Sequence, residues 1–285
     1  AAARLALERY KQGLDGSLQQ EQAEFGSFSS CHLAMVGPGG EWCVQGGRLR
    51  LVDGEGTIQA DQLEAADYDQ LLGEALEPWS CLSFPYVRAL GYPAGLYRVG
   101  PLARLNVCDC IDSPWAAREL AEYRQRNGRI VNSSFAYHQA RLVEIVACLE
   151  ALESLLEDPL LLDPHVRYRA SLNRREAVGM GEAPRGTLFH HYRVDTDGLL
   201  EHVNLLVATG QNNLAMNRTI TGLAQRFLDD RGDEPIPEGL LNRIEAGIRC
   251  FDPCLSCATH AAGQMALQVQ LFDHQGTLLA ERSRP

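Results

Sequence analysis

Asp252-Pro253-Cys254-Leu255-Ser256-Cys257-Ala258-Thr259-His260 sets two thiols and an imidazole at steps of three along the chain. Aspartate is a favoured helix N-cap, and proline suits the first helical position, where its missing N–H is not needed. A helix opening at Pro253 puts Cys254, Cys257 and His260 on one side, spread over about 120° at about 3.6 residues per turn. Cys254 then sits at the positive end of that helix, which favours thiolate over thiol. Such donors suit a soft metal. On spacing alone, a structural zinc site stands slightly ahead of anything catalytic. A closed zinc site takes four ligands, however, and no second Cys-x-x-Cys occurs. The other cysteines are Cys31, Cys43, Cys81, Cys108, Cys110, Cys148 and Cys250, and the Cys108-Asp109-Cys110 pair is too tight for the usual zinc knuckle.

The rest of the composition narrows the function classes. A chain of 285 residues with 45% apolar side chains can bury a sizeable core, in one large domain or two small ones. A net charge of −11 argues against nucleic acid or an anionic membrane as partner. No apolar run reaches the length of a membrane-spanning helix, and Ala1 to Arg4 show no signal-peptide core. There is no initiator methionine, which reads as a fragment or a processed chain. Nine cysteines, irregularly spaced, do not form a disulfide framework; they fit a reducing compartment with most of them buried as small apolar groups.

Hydrophobic periodicity gives the elements. Residues 2–13 read as the end of a helix. Residues 31–60 read as a small antiparallel meander, from the alternation of Leu33, Met35, Trp42, Val44, Leu49 and Leu51. Residues 67–77 and 114–127 read as short helices, and 78–113 as an ordered irregular stretch. The strongest helical pattern, Leu142, Ile145, Val146, Leu149, Leu152 and Leu156, predicts a central core helix over 135–156. Residues 186–208 read as two strands joined at Asp195-Thr196-Asp197-Gly198. Helices are expected over 214–230 and 238–251, and a hairpin around Asp273-His274-Gln275-Gly276. The fold class is therefore α+β, mainly α, a helical core with small antiparallel β elements. It is not a βαβ alternation, and it carries no glycine fingerprint for a dinucleotide.

Longer motifs surround the thiols. Gly181-Glu182-Ala183-Pro184-Arg185-Gly186-Thr187-Leu188 is followed by His190-His191-Tyr192, and Val207-Ala208-Thr209-Gly210-Gln211-Asn212-Asn213 runs on through Leu214-Ala215-Met216-Asn217-Arg218-Thr219. Phe25-Gly26-Ser27-Phe28, Trp79-Ser80-Cys81-Leu82-Ser83-Phe84-Pro85-Tyr86 and Tyr97-Arg98-Val99-Gly100-Pro101-Leu102-Ala103-Arg104-Leu105-Asn106 complete the set. Together with the DPCxxCxxH string, they resemble the large subunits of nickel–iron hydrogenases, most closely the cytoplasmic, bidirectional NAD-linked type. The resemblance runs from about the first residue to the last. It implies that residues 1–285 are the C-terminal portion of such a large subunit, with 31–60 the β meander and 135–260 the helical core and metal-ligand region.

The same resemblance implies the chemistry. Splitting H2 heterolytically needs an electron-rich acceptor and a nearby base. In the family two Cys-x-x-Cys pairs give four thiolates to nickel, two of them bridging to an iron that carries CO and cyanide. By position Cys254 matches a terminal nickel ligand and Cys257 a bridging one; the alternative for each is a buried structural cysteine. Arg185, after Pro184, matches an arginine overhanging the metals, where an always-protonated fork makes physical sense; the alternative is a surface turn. Asp252 reads as helix cap, as partner of that arginine, or both, and Thr209 as a cyanide-binding hydroxyl or an ordinary strand-end threonine. His260 matches both a ligand of a magnesium or iron ion and the residue after which a maturation protease cuts, which makes 261–285 a cleavable tail and this chain a precursor. His190 and His191 read as packing or surface groups, His138 as a satisfied core histidine. The implied partners are flavin- and NAD-binding diaphorase subunits, reached through an iron–sulfur small subunit.

Part of the family pattern is absent. There is no N-terminal Cys-x-x-Cys with its preceding arginine, and no N-terminal proton-relay glutamate. Two thiolates do not complete a nickel site, so either another chain supplies the rest or the sequence is truncated. The competing readings are a hydrogenase coupled to NADP or another carrier, a structural, metal-free subunit like those of the related quinone oxidoreductases, and a structural zinc module.

Overall fold

The computed structural model describes residues 2–14, 17–167, 174–228, 238–255, 267–272 and 275–284. The chain opens with α1 (Ala2–Gly13) and α2 (Ser17–Glu24), then β1 (Cys31–Val36), β2 (Arg48–Val52) and β3 (Ile58–Leu63). A short helical passage ends in α3 (Tyr68–Leu71), followed by β4 (Leu72–Ala75), β5 (Phe84–Val87), β6 (Tyr97–Arg98) and α4 (Pro101–Val107). Next come α5 (Pro114–Asn127), α6 (Ala136–Leu156), β7 (Glu176–Ala183), β8 (Gly186–Val194) and β9 (Leu200–Leu206). The last elements are α7 (Ala208–Gln211), α8 (Asn213–Leu228), α9 (Glu238–Cys250), β10 (Leu267–Phe272) and β11 (Leu278–Arg284).

The first sheet has the order β3-β2-β1-β6, antiparallel except for the parallel β1–β6 pair. β1 is buried along its whole length and divides the core in two. Ala34 and Val36 face a cluster with Leu102 and Leu105 of α4 and Tyr137, Ala140 and Val143 of α6. Cys31 and Leu33 face a second cluster with Tyr97, Val99, Phe189 and Leu206. The three-stranded sheet β7-β8-β9 lies over this second cluster. Glu150 of α6 fixes α5 by accepting from the Trp115 and Ala116 N–H groups at 3.0 and 2.9 Å, two of the donors a helix start leaves without intrahelical partners.

The meander, α5, α8, α9 and both hairpins follow the sequence expectations, although Asp273 and His274 lie outside the described residues. Elsewhere the structure differs. The helix expected over 67–77 stops at Leu71, where β4 begins, and its partner β5 lies inside the 78–113 stretch expected to be irregular. Gly73 sits opposite Tyr86, and a Cβ there would lie 2.7 Å from the tyrosine ring. The same stretch holds α4, which is buried on every side and so has no polar face to set a period. β7 is not evident from sequence because Gly179 and Gly181 interrupt its alternation.

α6 forms where expected, but only part of its predicted apolar stripe meets the core: Val146 is buried and Leu142 packs against the first cluster, whereas Ile145, Leu149, Leu152 and Leu156 are 42–65% exposed. The rest of the buried face is Tyr137, Ala140, Val143, Glu144 and Ala147. Helix periodicity locates an apolar face without telling which face the rest of the chain covers. The cysteines also depart from expectation: Cys31, Cys108 and Cys250 are buried, but Cys81, Cys110 and Cys148 are exposed.

Candidate functional site

The site is built on the β7–β8 hairpin. Ala183 pairs with Gly186, so Pro184 and Arg185 are the two residues of its tight turn. The turn is pressed against the segment that opens α4. A Cβ on Gly186, at φ +140°, would lie 2.5 Å from Val99 Cγ2, and one on Gly100, at φ +97°, would lie 2.5 Å from the Arg185 carbonyl oxygen. Only glycine allows that approach at both positions.

Arg104, one turn into α4, grips the hairpin from below. Its Nε and Nη2 donate to the Glu144 carboxylate at 2.5 and 2.6 Å. Nη1 donates to Glu182 at 2.7 Å and to the Ala183 carbonyl at 2.9 Å, and Nη2 reaches the Pro184 carbonyl at 3.3 Å. Burial opposes the charge on Arg104, but the Glu144 and Glu182 carboxylates outweigh it and hold the guanidinium protonated. Glu182 is fully buried, which pushes its carboxyl up despite Arg104, the Met35 N–H and the Thr187 hydroxyl.

Arg185 reaches from this turn to the segment after α9. Its Nε donates to the Asp252 carbonyl at 2.5 Å, with the Asp252 carboxylate at 3.3 Å. That segment is held from behind as well: Arg141 donates to the Cys250 carbonyl at 3.1 Å, and the Phe251 ring packs 4.9 Å from Tyr137. Asp252 has φ +49°, not the extended backbone of the helix cap the sequence predicts, and Pro253 and Cys254 are not helical. It turns the chain, and residues 256–260 lie outside the described residues.

Thr209 supplies the third strand of the site. It lies in α7 rather than at a strand end, is almost completely buried, and its Oγ1 accepts from the Cys254 N–H at 3.0 Å. α7 is locked by amides. Gln211 donates to the Thr187 carbonyl at 2.5 Å and accepts from Tyr97, while Asn212 accepts from the Val99 N–H at 2.9 Å and donates to its carbonyl at 3.2 Å.

Two hydrogen bonds, Arg185 Nε to the Asp252 carbonyl and the Cys254 N–H to Thr209 Oγ1, thus bring the Pro184-Arg185 turn and α7 onto the 252–254 segment. Cys257 and His260 lie outside the described residues. Among the described residues no three His, Cys, Asp or Glu side chains are placed to hold a metal ion. His138 is partly buried against Phe135, its pKa lowered by burial and then by Arg141. His191 bonds Tyr68 and Glu176, and His190 bonds Tyr192, all away from this group. Sequence reasoning assigned no role to Arg104, Glu144 or Asn212; a buried ion pair between distant segments leaves no local pattern to read.

The family model for nickel-dependent hydrogenases matches residues 66–260. The chain belongs to the nickel-dependent hydrogenase family. It is 41% identical over 272 residues to the beta subunit of the NAD-reducing hydrogenase HoxS of Cupriavidus necator, covering 93% of this chain and 55% of that protein. It is 39% identical over 260 residues to a polypeptide of the F420-non-reducing hydrogenase of Methanothermobacter thermautotrophicus, covering 89% of this chain and 53% of that protein. Its fold matches the crystal structure of an NAD+-reducing nickel–iron hydrogenase in the H2-reduced state with a TM-score of 0.84 at 40% identity, over 90% of this chain and 56% of that one. The chain spans about half the length of these relatives. The α+β class and the hydrogenase large-subunit fold expected from sequence are borne out.

Proposed function

We propose that this chain is the C-terminal portion of the large subunit of an NAD-linked nickel–iron hydrogenase, which catalyses H2 ⇌ 2 H+ + 2 e−. The observation that carries the proposal is the convergence of Arg185, Thr209, Asp252 and Cys254 through backbone-directed hydrogen bonds. The donor chemistry fits the group: Cys254 is a half-buried thiol whose main chain is held by Thr209, two residues from the Asp252 carbonyl that anchors a guanidinium. Cys254 and Cys257 supply two thiolate ligands, and His260 a site for magnesium or iron. A nickel–iron centre with CO and cyanide ligands, held there by these thiolates, would supply the redox chemistry. The remaining thiolates come from residues this sequence does not contain.

The protein's own groups have distinct tasks. Arg185 is anchored through its Nε on the Asp252 carbonyl, and its guanidinium carries two further nitrogens able to donate. Asp252 holds the arginine through its carbonyl and its carboxylate. Thr209 accepts from Cys254, which leaves its own hydroxyl hydrogen available to donate towards a cyanide. Electrons leave through a cytoplasmic iron–sulfur small subunit to diaphorase subunits carrying flavin and NAD. Residues 261–285 are a tail removed by a maturation protease. No helix among the described residues is long and apolar enough to cross a membrane.

The test is nickel quantification and infrared spectroscopy on the chain with its co-purifying subunits, followed by H2-dependent reduction of NAD+. Nickel with CO and cyanide bands and NAD+ reduction support the reading. Tightly held zinc with no such bands overturns it. The methanogen relative is named as a hydrogenase that does not reduce F420, so H2-dependent reduction of NADP+ or an artificial dye, but not NAD+, would select the other-carrier reading.

A further inference from the structure

We propose that Arg104, with Glu144 and Glu182, is the positioning device for Arg185, so that loss of its fork-shaped hydrogen bonding slows H2 turnover without removing the metal centre. The inference deepens the function proposed above and rests on that reading for its activity arm.

A guanidinium carries five N–H donors in a rigid fork. Arg104 uses all of them: two on Glu144, one on Glu182, and one each on the carbonyls of Ala183 and Pro184. Three of these acceptors belong to the three residues immediately before Arg185. The far end of the fork is anchored to α6 through Glu144, which also accepts from Trp42 Nε1 at 2.9 Å. The near end of the turn is blocked by Gly100, whose missing side chain lets the Arg185 carbonyl approach. The Arg185 main chain is therefore fixed on two sides from α4, and its long side chain starts from a fixed point. Its side chain is about 39% exposed, so apart from its contacts with Asp252 its placement depends on where the main chain starts it. A displacement of about 1 Å at a reacting group costs on the order of a hundredfold in rate. Arg104 touches no reacting atom; it acts only through Arg185.

Lysine at position 104 keeps the charge but cannot make the bidentate pair and both carbonyl bonds together. The experiment compares Arg104→Lys, Arg185→Lys and the double variant in the assembled hydrogenase. Expected are a fall of about tenfold to a hundredfold in kcat for Arg104→Lys, unchanged KM for H2, unchanged nickel content, and almost no further fall when Arg104→Lys is added to Arg185→Lys. Backbone hydrogen exchange of 183–187 should rise in Arg104→Lys while that of α8 stays unchanged. If the Arg104→Lys chain does not fold, Glu182→Gln, which keeps acceptors for Met35 and Thr187, should show the same pattern more weakly. Equal fold-losses in both Arg185 backgrounds, or full activity with unchanged exchange, overturn the proposal. A wild-type assembly without nickel or H2 activity sinks the hydrogenase reading instead, and the exchange measurement then decides the clamp alone.

Discussion

Thr209 shows how one hydroxyl ties two distant segments. Its Oγ1 accepts from the Cys254 N–H in a buried setting. Thr209→Val keeps the shape but orphans that donor, and a buried unsatisfied N–H costs about 1–3 kcal/mol. Thermal unfolding should show a fall of several degrees for Thr209→Val and near-normal behaviour for Thr209→Ser. Arg185→Lys belongs to the same scale: removing one preorganised donor typically lowers turnover by about a hundredfold to a thousandfold. Nickel content should be unchanged, and a variant with wild-type H2 oxidation would refute the role given to the guanidinium. Arg185, Thr209, Asp252 and Cys254 are legible in the sequence because they lie in contiguous motifs. Arg104 is not legible there as a functional group, since its partners Glu144 and Glu182 are 40 and 78 residues away.

At the scale of elements, the β7–β8 turn depends on two glycines more than on its own loop residues. Gly100→Ala places a Cβ 2.5 Å from the Arg185 carbonyl and asks alanine to adopt φ +97°. The expected cost is about 1–3 kcal/mol, read by urea unfolding, with a loss of activity beyond the loss of folded protein. α6 gives the opposite lesson. Leu152→Gln, on the exposed stripe, should change stability by no more than about 0.5 kcal/mol, whereas Val143→Ala, on the buried face, should cost about 2 kcal/mol. Equal effects would reject the assignment of faces. α5 is readable because Pro114 and Gly128 punctuate it, and α6, α8 and α9 because they are long. α4 and β5 are hidden: one is buried all round, and the other carries a proline and is only four residues long.

The whole molecule is organised by β1, which also carries a buried, pH-sensitive histidine. His32 is fully buried between the cores, accepts from Asn106 at 3.1 Å, and has its pKa lowered from 6.5 to about 3, by burial first and by the nearby Arg98 second. The unfolded chain takes up a proton below pH 6.5 that the folded chain refuses, so this contribution is intact above that pH and is lost as pH falls towards about 3. The slope is at most about 1.4 kcal/mol per pH unit. Urea unfolding at pH 7 and pH 5 should show a drop of about 2 kcal/mol from this group, and the drop should shrink in His32→Gln; an unchanged drop would assign acid sensitivity elsewhere. At this scale the sequence conveys class and family, because long motifs are spread along the chain, but not the split core, which depends on which face of β1 meets α4. Arg185 meets Asp252 through the carbonyl that every amino acid carries, so Asp252→Asn, a residue that tolerates positive φ, changes the acid–base character of position 252 while that bond stays in place.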